Sequence, residues 1–322
     1  MQRKIFTGTS FLSQKTDFSF RESSPHEARL LASIPLSFTP KEIDVSPDER
    51  MLFVSHEDGT GVSFIDIESR EVVSRIQRDC VGDVAVSPDG RKLYVTGQNE
   101  CSVIDIQRKA LVAILDSEGV DKIAASPDGS FICLSFRYAP GGLVRMIDAF
   151  DYNAESDFDL GKMSNAVLVM AISPQGHYIY ASELADDPDG IVSMIDTRDY
   201  SQVDIPGFRN PCSMSISADG SLLYVGGFDE MFVTDTATHK ILYTLEFGSR
   251  GYPVNIIGGT PDNRYVYAIH SCNFDLYRID TVERTATRID FFHSVGGAVL
   301  NREGDRLYTT HPDRKWISVY AL

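Results

Sequence analysis

The sequence predicts an all-β protein, a seven-bladed β-propeller in which each blade has four antiparallel strands. Residues 84–115 contain four short apolar runs, each too short for a helix and rich in β-branched or aromatic residues. A turn of the Ser-Pro-Asp-Gly type precedes the second run, and similar turns recur seven times along the chain. Fragments at the two ends together complete one of these seven blades. Together these features predict a closed ring of repeats.

The recurring turn sets the length of the repeat. Its first residues are Ser46, Ser87, Ser126, Ser173, Ser217, Thr260 and Asn301, which are 41, 39, 47, 44, 43 and 41 residues apart. Periods of this length are typical of four-stranded propeller blades. An apolar second strand follows each turn, and a third strand ends in Asp in six repeats, at Asp66, Asp105, Asp148, Asp196, Asp235 and Asp280.

The two ends of the predicted ring complement each other. Residues 28–34 occupy the place of a fourth strand, and residues 316–322 form a third strand that lacks its fourth. We expect the N-terminal outer strand to pair with the C-terminal blade, because this closes the ring and removes an exposed sheet edge. The predicted domains are therefore a propeller at 28–322 and an N-terminal extension at 1–27. The extension is either a tail or a degenerate partial repeat.

The repeat resembles a known family. Ser87-Pro88-Asp89-Gly90 followed by Tyr94-Val95-Thr96-Gly97 is similar to the YVTN-type β-propeller repeat, and the resemblance covers roughly residues 28–322. It implies a propeller fold like that of lactonase-like and lyase-like propellers. The same repeat also occurs in surface proteins and scaffolds, so the resemblance does not decide the function.

Composition restricts the partners that we expect. The formal net charge is −16 and the pI is about 4.8, which argues against nucleic acid or an anionic membrane as a partner. The five cysteines include no C-x-x-C pair, and the N-terminus has no apolar signal region. These features predict a cytoplasmic protein.

Three histidines are candidate metal ligands. The residue seven positions after each turn glycine or its equivalent is His56, Gly97, Phe136, Glu183, Gly227, His270 or His311. His270, His311 and His56 belong to blades that become neighbours when the ring closes, so they could hold Zn²⁺, Fe²⁺ or Mn²⁺. The alternative is that each histidine stabilises its own loop. Glu183 is a candidate acid/base residue.

Entry loops supply the candidate ligand-binding residues. The positions eight residues before each turn include Asn165, Arg209, Tyr252 and His293, and Arg250 lies close to Tyr252. Arg209 and Arg250 could bind a carboxylate or phosphate, or they could pair with acidic residues on the rim. Arg137, in a long loop of blade 3, is a further candidate for substrate binding, and His293 is a candidate catalytic residue.

The sequence leaves two classes of function open. No nucleophile elbow, P-loop or dinucleotide-binding motif is present. The favoured hypothesis is a site at the mouth of the central channel that binds a small molecule, with hydrolase, lyase or isomerase chemistry and a divalent metal as its candidate cofactor. The alternative is a module that binds a protein or peptide with the same face.

Overall fold

The computed structural model describes residues 21–22, 28–78, 82–97, 99–136, 142–160, 167–183, 189–248 and 250–322. These residues form seven antiparallel sheets of four strands, and one sheet gains a fifth strand at its edge. Seven blades of four strands are what the repeat predicts.

The strands are numbered in chain order. The first two are β1 (Arg21–Glu22) and β2 (Arg29–Pro35). Blade 1 contains β3 (Pro40–Val45), β4 (Met51–His56), β5 (Val62–Asp66) and β6 (Glu71–Ile76). Blade 2 contains β7 (Val84–Val86), β8 (Lys92–Thr96), β9 (Glu100–Asp105) and β10 (Ala110–Asp116). Blade 3 contains β11 (Val120–Ala125), β12 (Phe131–Phe136), β13 (Leu143–Asp148) and β14 (Ala154–Asp159).

The remaining blades follow the same order. Blade 4 contains β15 (Val167–Ile172), β16 (Tyr178–Glu183), β17 (Asp189–Asp196) and β18 (Gln202–Arg209). Blade 5 contains β19 (Ser213–Ile216), β20 (Leu222–Gly226), β21 (Glu230–Asp235) and β22 (Lys240–Glu246). Blade 6 contains β23 (Val254–Gly259), β24 (Tyr265–His270), β25 (Asp275–Asp280) and β26 (Thr285–Phe291). Blade 7 contains β27 (Ala298–Leu300), β28 (Arg306–His311) and β29 (Trp316–Ala321), with β2 as its outer strand.

The recurring turn is held by its own side chains. In blade 2 the Ser87 hydroxyl donates to Asp89 at 2.6 Å and accepts the backbone N–H of Lys92 at 2.9 Å. Gly90 has a φ of 69°, a left-handed conformation that glycine adopts without strain. The Ser and Asp of the repeat therefore fix the hairpin that joins the first and second strands of a blade.

The ring closes through the chain termini. The first strand of each blade contacts that of the next blade, and β27 contacts β3, so the seven first strands surround the axis. On the outside, β2 pairs antiparallel with β29, from Arg29 opposite Ala321 to Pro35 opposite Trp316. The segment before residue 28 is described only at β1, which pairs in parallel with the outer edge of β26.

The core lies between the blades. Tyr94, Tyr180, Tyr224 and Tyr308 of the second strands are almost completely buried and pack among aliphatic side chains. Hydroxyl groups near the ends of these strands add links between blades. The Thr310 hydroxyl, for example, donates to the Lys41 carbonyl at 2.6 Å. Within the described ranges we find no helix with the length and apolar character that a membrane crossing requires.

Candidate functional site at the entry face

The entry face is the side of the ring where the chain enters each first strand and where each second strand ends. The antiparallel order of the blades brings these two kinds of loop together. Their backbone needs only to connect strands, so their side chains are free to vary between repeats. Those candidate residues whose side chains the structure describes lie on this face: His56, Arg209, Arg250, Tyr252, His270, His293 and His311.

The three histidines do not form a common metal site. His56 contacts Thr60 Oγ1 through Nδ1 and Ser63 Oγ through Nε2, both at 2.8 Å. His311 contacts Thr309 Oγ1 through Nε2 at 2.9 Å and the Ser294 carbonyl through Nδ1 at 2.6 Å. Among the described residues, no three His, Cys, Asp or Glu side chains are grouped closely enough to hold an ion.

The prediction of a metal centre at His56, His270 and His311 is therefore corrected. Each imidazole instead has its own hydrogen-bond partners, because hydroxyl, carbonyl or carboxylate groups of nearby loops lie within hydrogen-bond distance of its ring. Burial lowers the pKa of His56 to about 4 and also lowers the pKa of His311. Both rings are thus neutral at pH 7 and stabilise the ends of their strands.

His270 instead joins two blades. Its Nε2 lies 2.8 Å from Oδ1 of Asp229, which belongs to the loop between β20 and β21. The same carboxylate accepts the backbone N–H groups of Gly251 and Tyr252, in the loop that enters blade 6. Burial alone would raise the pKa of Asp229, but these N–H groups and His270 outweigh it and lower the pKa. The ionised carboxylate therefore fixes both the imidazole and the entry loop.

This entry loop carries two of the predicted ligand-binding residues. Arg250 is exposed, and its guanidinium lies 3.7 Å from the Sγ of Cys272. Among the described residues, no carboxylate lies within ion-pair distance of Arg250. Tyr252 is 43% exposed, and Phe228 beside it is 41% exposed. We call Phe228, Arg250, Tyr252, His270 and Cys272, together with Arg209 and Asp229, the 5–6 seam.

Arg209 pairs with an acidic residue on the rim, which is the alternative to ligand binding. Its guanidinium donates to Glu230 Oε1 at 2.9 Å. Burial raises the pKa of Glu230 although Arg209 opposes this shift. Arg209 therefore has a carboxylate partner, whereas Arg250 is the seam cation that has none in the described part of the chain.

The remaining candidate residues lie in other loops or outside the described part of the chain. His293 is exposed in the loop that enters blade 7, and its ring lies 6.1 Å from that of Phe291. Glu183 ends β16 in blade 4, where its backbone is opposite Val167. Its side chain is outside the described part of the structure. Arg137 and Asn165 also lie outside the described residues, and their roles stay predictions.

The inner ring contains a charged cluster that we did not predict from the sequence. Lys122 Nζ lies 3.0 Å from Glu42 Oε1 and 3.9 Å from Asp83 Oδ2, although the three residues come from three different blades. Asp44 accepts the N–H of Val86 from the next blade. We call Glu42, Asp44, Asp83 and Lys122 the inner charged cluster. A comparison of the residues four positions before each turn would have found Glu42, Asp83 and Lys122 at equivalent places.

Two carboxyl groups of the cluster have raised pKa values. Burial raises the pKa of Asp44 to about 7, although the N–H groups of Val86 and Val45 oppose the shift. Burial also raises the pKa of Asp83. Burial would lower the pKa of Lys122, but Asp83 and Glu42 outweigh it and raise the pKa. All four side chains are only partly buried, so water reaches them from the axis.

A surface cavity lies elsewhere. Its volume is about 330 Å³, and it is lined by Arg264, Tyr265, Arg278, Asp280, Glu283, Thr285 and Thr287, all in blade 6. Arg264 pairs with Asp280 at 3.3 Å and lies over the Tyr265 ring. None of the predicted site residues contributes to its walls, so the cavity is separate from the entry-face site.

Comparison with known proteins supports the fold. No protein-family model matches the sequence. No curated protein matches it either. Among solved structures, a chain of hydrazine synthase from Kuenenia stuttgartiensis is similar, with a TM-score of 0.75 and 17% identity over 88% of this chain and 96% of that chain. At this identity the likeness establishes the propeller fold. The resemblance to the YVTN repeat is not confirmed by a family model.

Proposed function

We propose that the protein binds a small anionic molecule at the entry face, over the 5–6 seam. The observation that carries the proposal is Arg250, an exposed guanidinium without a carboxylate partner among the described residues of a chain that has 46 acidic residues and a net charge of −16. An unpaired cation in such an acidic chain is a local site for an anion. Guanidinium groups bind carboxylates and phosphates through paired N–H donors.

The neighbouring side chains favour a ligand with an apolar part. Phe228, which bridges to Pro253, and Tyr252 each expose about two-fifths of their surfaces in the seam. Aromatic and arginine side chains are both enriched at binding surfaces, and the aromatic rings combine apolar area with few rotatable bonds. A small aromatic or aliphatic carboxylate fits this combination best.

The seam also contains a candidate general base. A neutral imidazole whose Nε2 faces the ionised Asp229, as that of His270 does, carries its proton on Nε2, which leaves Nδ1 as the acceptor. An imidazole oriented by a carboxylate is suited to proton transfer in hydrolase, lyase or isomerase chemistry. We infer that His270, in addition to the predicted Glu183 and His293, is the residue to test if the bound anion is a substrate.

The alternative function is binding of an acidic peptide by the same surface. The exposed Phe228 and Tyr252 favour it, since half-exposed aromatic residues often anchor protein partners. A small-molecule site would bind an isolated carboxylate, whereas a peptide site would require several contacts along a chain.

Titration calorimetry with benzoate and with benzamide tests the proposal. We expect benzoate to bind and benzamide to bind at least fivefold more weakly, because only benzoate is charged. Arg250→Met should weaken benzoate binding at least fivefold, equivalent to about 1 kcal/mol. Arg302→Met, at an exposed arginine in the turn between β27 and β28 on the opposite face, is the matched control. Equal affinity of the wild type and Arg250→Met for benzoate would contradict the proposal.

A further inference from the structure

The outer strand of blade 2 is unusual among the outer strands. Three large apolar side chains of β10 are exposed, Leu111 at 37%, Val112 at 51% and Ile114 at 50%. Each of the other described outer strands exposes at most two large apolar side chains. No charged residue lies between Ala110 and Leu115.

The structure explains why Val112 points outward. In the pairing of β10 with β9, Leu111 is opposite Ile104 and Ala113 is opposite Val103, so Val112 is the extra residue of a bulge. No described strand pairs with the other side of β10. An apolar, unpaired edge strand is a surface at which a further chain can associate. In blade 6, by contrast, the outer edge is occupied by β1.

Charges at the two ends of β10 indicate the occupant. Lys109 is exposed immediately before the strand, and Glu118 is exposed just beyond its C-terminal end. When a second copy of β10 lies antiparallel to the first about a twofold axis between Ala113 and Ile114, Lys109 of each copy falls opposite Glu118 of the other. The surface is therefore complementary to itself, which a twofold interface requires.

We propose that β10 is a weak dimerisation surface, on which a second copy of this chain packs its own β10 in antiparallel orientation. A contact limited to one seven-residue strand on each side buries less than the roughly 1,200 Å² of a standard interface, so the dimer should form only at high protein concentration. Blade 2 is separate from the 5–6 seam, so this proposal does not depend on the anion site.

Sedimentation velocity of the full chain tests the proposal. We expect the weight-average mass to rise toward that of a dimer between about 1 and about 300 μM. Val112→Lys should weaken the association at least tenfold, because it places two like charges at the centre of the contact. Val73→Lys, at an exposed valine of β6 in blade 1, should leave the association unchanged.

A charge exchange tests the antiparallel arrangement. Lys109→Glu should weaken the dimer severalfold, and the double variant Lys109→Glu/Glu118→Lys should restore it, since the exchanged charges still meet in an antiparallel pair. A chain that stays monomeric over the whole concentration range would overturn the proposal, as would a dimer that Val112→Lys leaves intact. Failure of the double variant to restore association would overturn the antiparallel pairing. None of these results would bear on the binding of benzoate.

Discussion

Replacement of Asp44 by Asn should change how the stability of the protein depends on pH. The pKa of Asp44 is raised from 3.8 to about 7 in the folded protein, so the folded state keeps a proton that the unfolded chain releases. Its contribution to stability is therefore fully present below about pH 4, falls as the pH rises, and is lost above about pH 7. Asn does not titrate, so the stability of the variant should not fall with rising pH for this reason.

The magnitude follows from the two pKa values. For one carboxyl group with pKa values of 3.8 and about 7, the free energy of unfolding falls by about 2.5 kcal/mol between about pH 5 and about pH 8. Water reaches the partly buried side chain, and its screening reduces this figure to about 1–2 kcal/mol. Asn also loses one acceptor, for Val45 or Val86, which costs about 1 kcal/mol at every pH.

Urea denaturation at several pH values measures the difference. The wild type should lose about 1–2 kcal/mol more than Asp44→Asn between about pH 5 and about pH 8. Asp48→Asn is the control, because the pKa of Asp48 is lowered and the residue is ionised in both states over this range. If the wild type and Asp44→Asn lose stability in parallel as the pH rises, the assignment of a raised pKa to this partly buried carboxyl group of the inner ring is wrong.

Three further substitutions test the contacts between strands and blades by chemical denaturation. His56→Ala should cost about 1–3 kcal/mol, because it leaves the buried Ser63 hydroxyl without the imidazole, and it should not change benzoate affinity. Thr310→Val should cost about 1–3 kcal/mol, since it removes the link to the next blade, and an unchanged midpoint would count against that link. Gly226→Ala should be more damaging still, because its Cβ would lie 1.9 Å from the Val254 carbonyl oxygen, and a variant as stable as the wild type would contradict this packing.

The sequence predicts the repeat unit well because its signals are local. Each SPDG-like turn is stabilised by side chains within about five residues, and third strands end at Asp66 and Asp105 as expected. The closing pair of β2 with β29 was also predictable, because only an outer strand was missing. These features depend on hydrogen bonds within a blade and on complementary ends, both of which are visible in a single chain.

The site was predictable only in part. Comparison of equivalent positions in the seven repeats led to Arg250 and Tyr252 on the entry face. It did not predict that Asp229 would contact both His270 and the backbone N–H groups of the entry loop. The three histidines do not converge on one ion, because hydrogen-bond partners in nearby loops hold each ring. The spacing of residues along the sequence does not show which hydrogen-bond partner lies nearest to a ring. The inner charged cluster depends on contacts between residues up to 80 positions apart, such as Glu42 and Lys122.

Amide chemical-shift mapping with benzoate is the decisive test of the anion site, because it reports where an anion binds as well as whether it binds. We predict concentration-dependent shifts centred on the N–H groups of Gly251 and Tyr252 and on Phe228, with smaller shifts in Arg250→Met. Shifts centred on another part of the ring, or none with benzoate, would contradict an anion site at the 5–6 seam.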